Sequence, residues 1–440
     1  MPAEAEPSPV GESPKQEGET RARWAWAEPS VWTERMLEAV ENGVKGGKWY
    51  SLMDKVYDVA NLQAAWGKVR RNRGAAGVDR QSIEKFGKRA EQYLMELHQA
   101  LKEGRYEPLP VLRKWIEKPG TTKLRPLGIP AVKDRVVQTA LRNVLEPIFE
   151  KEFLSVSHGF RPGRSAKDAL REVWKLLAAG NVWVVDADIQ SYFDTIVWEI
   201  LLGDVKKHVT DGRVLALLES YLTQEVMEGM KTWKPTMGTP QGAVVSPLLA
   251  NLYLHAVDQA LCAAGLKVAR YADDLVILCR SESEAKEALA LLEKEMAKRK
   301  LTLHPEKTRL VEATKHGGFD FLGYHFERGY RWPRKKSLQA LKDKIREKTK
   351  RTNGTSLTCI LADLNKTLKG WFAYFKHSQR PTFERLDGWI RMRVRSILRQ
   401  RHGGRGRGRG RDHLRWPNAY FVAHGLFTLT AAYDAARQSR

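Results

Sequence analysis

The chain has 440 residues, enough for two to four domains, and its hydrophobic content of 42% is typical of a globular protein and excludes a disordered one. Its 75 basic and 52 acidic residues give a net charge of +23, which favours a polyanion such as nucleic acid, with an anionic membrane surface as the competing partner. No apolar run approaches the roughly 18 residues that span a bilayer, and the N-terminus lacks a signal peptide, so we expect a soluble, cytoplasmic protein without membrane partners.

The chain divides into four predicted segments. Residues 1–50 form an N-terminal extension whose first ~20 residues are rich in Pro, Glu and Ser and are expected to be disordered. Residues 51–333 alternate between helical and strand patterns, and residues 334–401 are helical and very basic. Residues 402–440 form a basic tail that opens with an arginine-glycine repeat, which we expect to be flexible and to bind nucleic acid without sequence preference.

Within the second segment, helices precede a β-hairpin predicted at residues 111–130. Two helices flank the turn HGFRPGRSAKDAL, and the apolar strand VWVVDADI follows. After further helices, the turn GTPQGAVVSP leads into a helix for which Ser246 is the predicted N-cap and Pro247 a first-turn residue. Strands around RYADD, a helix, and strands at LTLHPEKTRLVE and FDFLGYHF complete the order. It predicts an α+β fold with a split βαβ sheet and helices on one face.

Acidic residues interrupt two of these apolar strands. In RYADDLVILCR, Asp273 and Asp274 are adjacent in a run that otherwise favours burial, and in VWVVDADI the side chains of Asp186 and Asp188 share one strand face. An isolated Asp-Asp pair would more often be a solvated turn. If the two strands are neighbours, however, Asp188, Asp273 and Asp274 converge, and repelling carboxylates require a cation. Oxygen ligands without Cys or His select Mg²⁺ over zinc or copper.

Six motifs together resemble a known family. They are KLRPLGIP, HGFRPGRSAKDAL, DADIQSYFD, GTPQGAVVSPLLANLYL, RYADD and HPEKT, in that order. They look like those of reverse transcriptases, and more closely of the reverse transcriptase/maturase encoded by bacterial group II introns. The resemblance covers about residues 51–401. It implies a right-hand polymerase, with fingers and palm in residues 51–333 and a helical thumb/maturase domain in residues 334–401.

The resemblance implies an RNA-directed DNA polymerase, a nucleotidyltransferase that also binds its group II intron RNA and assists splicing and mobility. Asp188, Asp273 and Asp274 would bind two Mg²⁺ ions, with Mn²⁺ as an alternative, and the carbonyl of Ile189 would complete one site. Lys307 would act as a general acid toward pyrophosphate or would only neutralise phosphate.

The resemblance also implies a site for the incoming deoxynucleoside triphosphate, formed by Lys118, Arg125, Ile189, Phe193 and Gln241. Lys118 and Arg125 would bind the triphosphate from the fingers hairpin. Phe193 would exclude a ribose 2′-hydroxyl, and Gln241 would contact the templating base pair. Asp186 is expected beside the metal ligands without binding metal, and Asp194 is expected to cap a helix or to be structural.

The implied partners are the intron RNA, an RNA template with a DNA primer, and target DNA; the oligomeric state is not predicted. Many relatives carry a C-terminal endonuclease with paired cysteines and histidines, but His402, His413 and His424 have no cysteine partners, so no endonuclease is expected. Two alternatives stay open. One is a polymerase of this fold diverted to phage defence, CRISPR spacer acquisition or repair, and the other is a splicing-only RNA-binding maturase with a vestigial polymerase site.

Overall fold

The computed structural model describes residues 19–44, 46–117 and 124–438 of the chain. Most of the N-terminal stretch for which disorder is predicted, residues 1–18, lies outside the described residues, and so does Lys118. Glu19 and Thr20 already belong to the first helix. Within the described ranges, no helix is long and apolar enough to cross a membrane.

The N-terminal part of the chain is helical. Its helices are α1 (Glu19–Arg23), α2 (Glu34–Asn42), α3 (Met53–Tyr57), α4 (Val59–Asn72), α5 (Ile83–Gly87) and α6 (Ala90–Glu103). Several of them pack around α7 (Val132–Glu152), a helix of 21 residues that is buried over most of its length. The indole N–H of the buried Trp32 donates to the carbonyl of Asn143 at 2.9 Å. The N-terminal extension is therefore docked on α7.

The predicted hairpin is present and belongs to a larger sheet, here called the fingers sheet. Strands β1 (Val111–Glu117) and β2 (Leu124–Ile129) are antiparallel, with Trp115 opposite Pro126. Two short strands that the sequence analysis does not predict, β4 (Val226–Glu228) and β5 (Lys231–Trp233), extend the sheet in the order β2-β1-β4-β5.

A second sheet, the palm sheet, contains β3 (Trp183–Asp188), β6 (Lys267–Tyr271), β7 (Asp274–Cys279) and β8 (Arg309–Glu312) in the order β6-β7-β3-β8. All neighbouring strands are antiparallel. Helices α8 (Ala166–Ala178), α9 (Tyr192–Thr195), α10 (Trp198–Lys206), α11 (Gly212–Leu222), α12 (Ser246–Ala263) and α13 (Glu282–Lys298) connect or cover the strands. This is the split βαβ arrangement, so the α+β prediction is confirmed.

The prediction that helices cover only one face of this sheet is wrong. One face packs on α12 and α13, whereas the other packs on α8 and on a three-stranded sheet of β9 (Phe319–Phe321), β10 (Tyr324–Glu327) and β11 (Tyr330–Pro333). The physical reason is that both faces are apolar: Val184, Val276 and Leu278 are fully buried on the second face. Apolar residues on both faces require cover on both.

Helix α12 begins one residue earlier than predicted. Val245 is at the N-cap position, and Ser246 is the first helical residue rather than the cap. The side chain of Ser246 is buried against the core and is therefore not exposed at the helix end. Pro247 lies in the first turn, where its missing N–H costs no helical hydrogen bond.

The C-terminal region is helical, with α14 (Lys335–Lys348), α15 (Leu357–Phe375), α16 (Arg380–Arg401), α17 (Asp412–Arg415), α18 (Asn418–Ala423) and α19 (Leu429–Gln438). Its own core includes Trp416, Phe421 and Leu429, so the residues after the arginine-glycine repeat fold back onto α14–α16. The structure also differs from the prediction of a flexible repeat. The N–H of Gly408 donates to Ser396 Oγ of α16 at 3.1 Å, because glycine lets the backbone approach the helix closely.

Candidate active site

Two strand ends of the palm sheet bring carboxylates face to face. Asp188, the last residue of β3, is the register partner of Asp274, the first residue of β7. Asp273 lies in the tight turn between β6 and β7. Asp186 shares the strand face of Asp188 and is paired with β8, where Arg309 Nη2 lies 2.9 Å from Asp186 Oδ2. Like charges placed directly opposite destabilise a sheet, so this edge needs a compensating cation.

A lysine supplies one such cation. The ammonium of Lys307 lies 2.6 Å from Asp188 Oδ2. Backbone pairing brings Lys307 to this position, because the chain beyond β3 pairs with residues 302–304, where HPEKT begins. The N–H of His304 donates to the carbonyl of Asp188 at 2.7 Å, and the N–H of Gln190 donates to the carbonyl of Thr302 at 2.9 Å. The sequence analysis assigns Lys307 a role at the site, and the structure places it in contact with Asp188.

Two carboxyl groups at this edge, those of Asp274 and Asp186, have raised pKa values. Desolvation, followed by repulsion from Asp273 and Asp188, raises the pKa of Asp274 to about 6. Burial also raises the pKa of Asp186, although the hydrogen bond from Arg309 opposes that shift. Raised carboxyl pKa values mean that the negative charge is incompletely compensated, so binding of a cation would stabilise the edge.

The donor chemistry of this edge fits a hard divalent ion. The ligands on offer are carboxylate and carbonyl oxygens, which Mg²⁺ prefers over nitrogen and sulfur. Within residues 19–44, 46–117 and 124–438, however, no three His, Cys, Asp or Glu side chains are grouped closely enough to hold a metal ion. Lys307 holds one of the aspartates instead. The fold thus brings the acidic residues to one edge of the sheet, but within the described residues their carboxylates are not close enough together to coordinate one metal ion.

Ile189 is oriented by the same backbone pairing. Its two neighbours, Asp188 and Gln190, form the hydrogen bonds to residues 302–304, and Ile189 itself is opposite Leu303 in an isolated bridge. Successive carbonyl groups of an extended chain point to opposite sides. The carbonyl of Ile189 therefore points away from residues 302–304, toward the side on which β7 lies.

The turn that carries Asp273 is held in an unusual conformation by a buried arginine. Ala272 has a φ of 59°, in the left-handed region, which costs a residue with a side chain roughly 1–2 kcal/mol. Arg270 Nη1 donates to the carbonyl of Ala272 at 2.9 Å, and Arg270 Nε donates to Asp258 Oδ1 at 2.7 Å. Both Arg270 and Asp258 are 0% exposed. This buried ion pair keeps the strained turn, and with it Asp273, in place.

The HGFRPGR segment packs directly against the same turn through Gly159. Asn251 Nδ2 donates to the carbonyl of Gly159 at 2.7 Å, while Asn251 Oδ1 accepts from Arg270 at 3.1 Å. A Cβ at Gly159 would overlap the backbone of Ala272. Only glycine can occupy this position, because the two backbones are in direct contact.

The proposed nucleotide-binding residues sit on elements that are tied together. The carbonyl of the half-buried Phe193 accepts from Thr239 at 2.7 Å, which fixes the GTPQG turn on α9. The carbonyl of Gln241 accepts from Gly128 of β2 at 2.6 Å. Arg125 is exposed on β2. The structure thus connects the fingers sheet, Gln241 and Phe193, while Lys118 lies outside the described residues.

Asp194 does not cap α9. It lies inside the helix, and Ser191 occupies the N-cap position with a φ of 48°. The Asp194 side chain instead lines a cleft of about 410 Å³ between β1 and the GTPQG turn, together with Arg113 and Trp115. Burial raises the pKa of Asp194, and the charge of Arg113 opposes the shift. Of the two roles predicted for Asp194, helix capping is wrong, and a structural role stays a prediction.

The sequence analysis missed the residues that support the site from behind: Arg270, Asp258, Asn251 and Gly159. One signal was available. Asn251 and Asp258 are polar residues in the otherwise apolar run SPLLANLYLHAVDQAL, and their spacing of seven residues places them on one helical face. Buried polar groups need partners, and Arg270, the first residue of RYADD, is a basic residue in an apolar strand.

Comparison with known proteins identifies two regions of the chain. A family model described as reverse transcriptase (RNA-dependent DNA polymerase) matches residues 116–326, and a model described as the group II intron maturase-specific domain matches residues 338–416. Protein YkfC of Escherichia coli (strain K12) is 30% identical over 349 residues, which cover 70% of this chain and 86% of YkfC.

The group II intron-encoded protein LtrA of Lactococcus lactis subsp. cremoris is 37% identical over 225 residues, which cover 50% of this chain. The match spans only 36% of LtrA. Among solved structures, a partial Cas6-RT-Cas1–Cas2 complex is 24% identical, covers 57% of this chain and 43% of that chain, and has a TM-score of 0.37. This structural likeness is too weak to favour a CRISPR-associated role.

Proposed function

The chain belongs to the family of group II intron-encoded proteins with a reverse transcriptase domain and a maturase-specific domain, and we propose a function on this basis. The proposed function is that of an RNA-directed DNA polymerase. One observation carries the proposal: Asp188 and Asp274 are direct cross-strand partners at one edge of the palm sheet, with Asp273 in the adjoining turn. Polymerase chemistry requires such a set of oxygen ligands, because two ions must be held close together during phosphoryl transfer.

The three aspartates and the Ile189 carbonyl are the proposed ligands of two Mg²⁺ ions. Such ions, when bound, would activate a primer 3′-hydroxyl and stabilise the leaving pyrophosphate. The protein's own part is to hold Asp273 in its turn through Arg270 and to deliver Lys307 next to Asp188. From that position Lys307 is proposed to protonate the pyrophosphate or to neutralise its charge.

The nucleotide pocket is proposed to lie between β2, the GTPQG turn and α9. Arg125, together with Lys118, would bind the triphosphate, since the guanidinium forms forked contacts with phosphate. Phe193 would exclude a ribose 2′-hydroxyl by its bulk. Gln241, tied to β2 by its backbone, would contact the templating base pair.

The helical region from α14 onward supports an additional role as a maturase. The maturase-specific match covers most of α14–α16, whose surface is strongly basic and therefore suited to RNA phosphates. We infer that the chain binds its group II intron RNA, assists splicing and takes part in mobility, with target DNA as a further partner. Similarity to the group II intron-encoded protein LtrA supports this assignment.

The test is Mg²⁺-dependent extension of a DNA primer on an RNA template, with intron splicing assayed in parallel. Wild type is expected to extend, and Asp273→Ala/Asp274→Ala to lose extension while retaining splicing. Asp54→Ala, which removes a carboxylate exposed on α3, is the matched control and should behave like wild type. If well-folded wild type fails to extend any primed template but still promotes splicing, the polymerase proposal fails and an RNA-binding maturase replaces it.

A further inference from the structure

The arginine-glycine repeat, residues 403–411, forms an ordered strap along α16. Its glycines face the helix at two points. A Cβ at Gly404 would lie 2.6 Å from Arg399 Cγ, and a Cβ at Gly408 would lie 2.6 Å from Arg395 Cβ. Gly408 is buried, and its N–H donates to Ser396 Oγ at 3.1 Å. A side chain at either glycine would therefore push the strap off the helix.

Polar contacts fix the strap at several points along its length. Arg399 Nε of α16 donates to the carbonyl of Arg405 at 2.8 Å, and its Nη1 lies 2.5 Å from Asp412 Oδ2. The N–H of Arg409 donates to the same Asp412 oxygen at 3.0 Å. Immediately beyond the strap, the buried Trp416 joins the C-terminal core, and its carbonyl accepts from Arg395 at 2.7 Å. The backbone of the strap is thus tied to α16 and to the aromatic core behind it.

The arginines of the strap point away from this anchored side. All four are exposed, and none of their guanidinium groups has a hydrogen bond or an ion pair within the described part of the chain; they are Arg405, Arg407, Arg409 and Arg411. The acidic residue nearest in the sequence, Asp412, is already paired with Arg399. Four unpaired cations on a fixed backbone repel one another, and this repulsion would be relieved by an anionic ligand that contacts several of them together.

We propose that the strap is a preorganised binding surface for the phosphodiester backbone of folded RNA. Guanidinium groups bind phosphate with forked hydrogen bonds, and neutralising phosphates releases condensed counterions. A membrane surface is a poorer fit, because interfacial segments place large apolar side chains beside their cations and the strap alternates arginine with glycine. The inference rests on the proposed function, since it adds a binding surface for the RNA that the maturase role requires.

Preorganisation distinguishes this surface from an ordinary basic tail. A flexible repeat would lose conformational entropy on binding, whereas the strap has already lost it on folding. Affinity should therefore depend on the glycines as well as on the arginines. Gly408→Ala keeps every charge but displaces the strap, and it is expected to weaken RNA binding.

The experiment measures binding of the full chain to a base-paired RNA hairpin over a range of salt concentrations. Arg407→Ala/Arg409→Ala should weaken binding about tenfold and reduce the slope of log affinity against log salt by about 2. Gly408→Ala should weaken binding by a similar factor. The matched control is Lys294→Ala/Lys300→Ala, which removes two exposed positive charges in and just after α13 and should leave both affinity and slope unchanged.

The outcomes separate the strap from the proposed function. If the arginine variant binds weakly while Gly408→Ala binds like wild type, the segment acts as a flexible tail and preorganisation is wrong. If neither variant differs from wild type, the strap does not bind RNA, although wild-type primer extension and RNA binding would still support the proposed function. If the arginine variant instead loses binding to anionic phospholipid vesicles and keeps RNA affinity, the partner is a membrane.

Discussion

Replacing Arg270 and replacing Asp258 should have strongly non-additive effects on the free energy of unfolding, because the two residues form a fully buried ion pair beneath the RYADD turn. The guanidinium donates to both oxygens of Asp258, to Asn251 Oδ1 and to the carbonyl of Ala272. Replacing Arg270 by Met leaves a buried carboxylate without its partner, which costs about 3–5 kcal/mol, and two further acceptors lose a donor. We expect Arg270→Met to lower the free energy of unfolding by about 5 kcal/mol, a large part of the 5–15 kcal/mol typical of a folded protein.

Asp258→Leu should be destabilising for the converse reason, since it leaves the arginine unpaired. The double variant Arg270→Met/Asp258→Leu removes both charges and replaces them with apolar groups. Its loss in free energy of unfolding should therefore be smaller than the sum of the two single losses by at least about 3 kcal/mol. Urea unfolding followed by circular dichroism measures all three variants. Arg171→Met, which removes one partner of the exposed Arg171–Asp168 pair, is the control and should change stability by less than about 1 kcal/mol.

The double variant should nevertheless fail to extend a primer. Ala272 keeps its left-handed conformation through the hydrogen bond from Arg270, and no apolar side chain can replace that donor. Strictly additive stability effects would refute the argument that the pair is coupled. Normal extension by the double variant would refute the argument that Arg270 positions the RYADD turn for the proposed reaction.

Three further predictions follow from contacts and pKa shifts. Lys307→Met removes the ammonium that would compete with the proposed metal for Asp188, so extension assays over a Mg²⁺ series should show half-saturation at lower Mg²⁺ and a lower maximal rate; an unchanged Mg²⁺ dependence would contradict this. Gly159→Ala should abolish extension and destabilise the fold because its Cβ overlaps the RYADD turn, whereas Gly203→Ala, in open space on α10, should preserve activity and be neutral or slightly stabilising. Burial raises the pKa of Asp134 from 3.8 to about 6, so its folded state binds the proton more tightly than its unfolded state. The stability of wild type relative to Asp134→Asn should therefore fall by roughly 3 kcal/mol as the pH rises from about 4 to above 6, and a constant or rising difference would show the sign to be wrong.

The order of strands and helices could be predicted from the sequence because it depends on local patterns of apolar and polar residues. Short continuous apolar runs indicate β3 and β7, and the order of strands and helices predicts the split βαβ sheet that the structure contains. The presence of oxygen ligands without Cys or His predicts the kind of metal ion, and resemblance to a family supplies candidate roles. Those roles, including metal binding by Asp188, Asp273 and Asp274, stay predictions until extension is measured.

Contacts between distant segments were decided only by the tertiary structure. The sequence shows Arg270 and Asp258 on separate elements, and only packing of α12 against β6 turns them into a buried pair. The arginine-glycine strap is the clearest case. Composition alone predicts a flexible tail, because arginine and glycine have no apolar side chains to bury. The structure instead places two of the glycines, Gly404 and Gly408, against α16, where backbone contacts and Asp412 order the segment without any apolar burial of its own. Local patterns report the periodicity of one element, whereas the partners of charged and backbone groups depend on which surfaces the whole fold brings together.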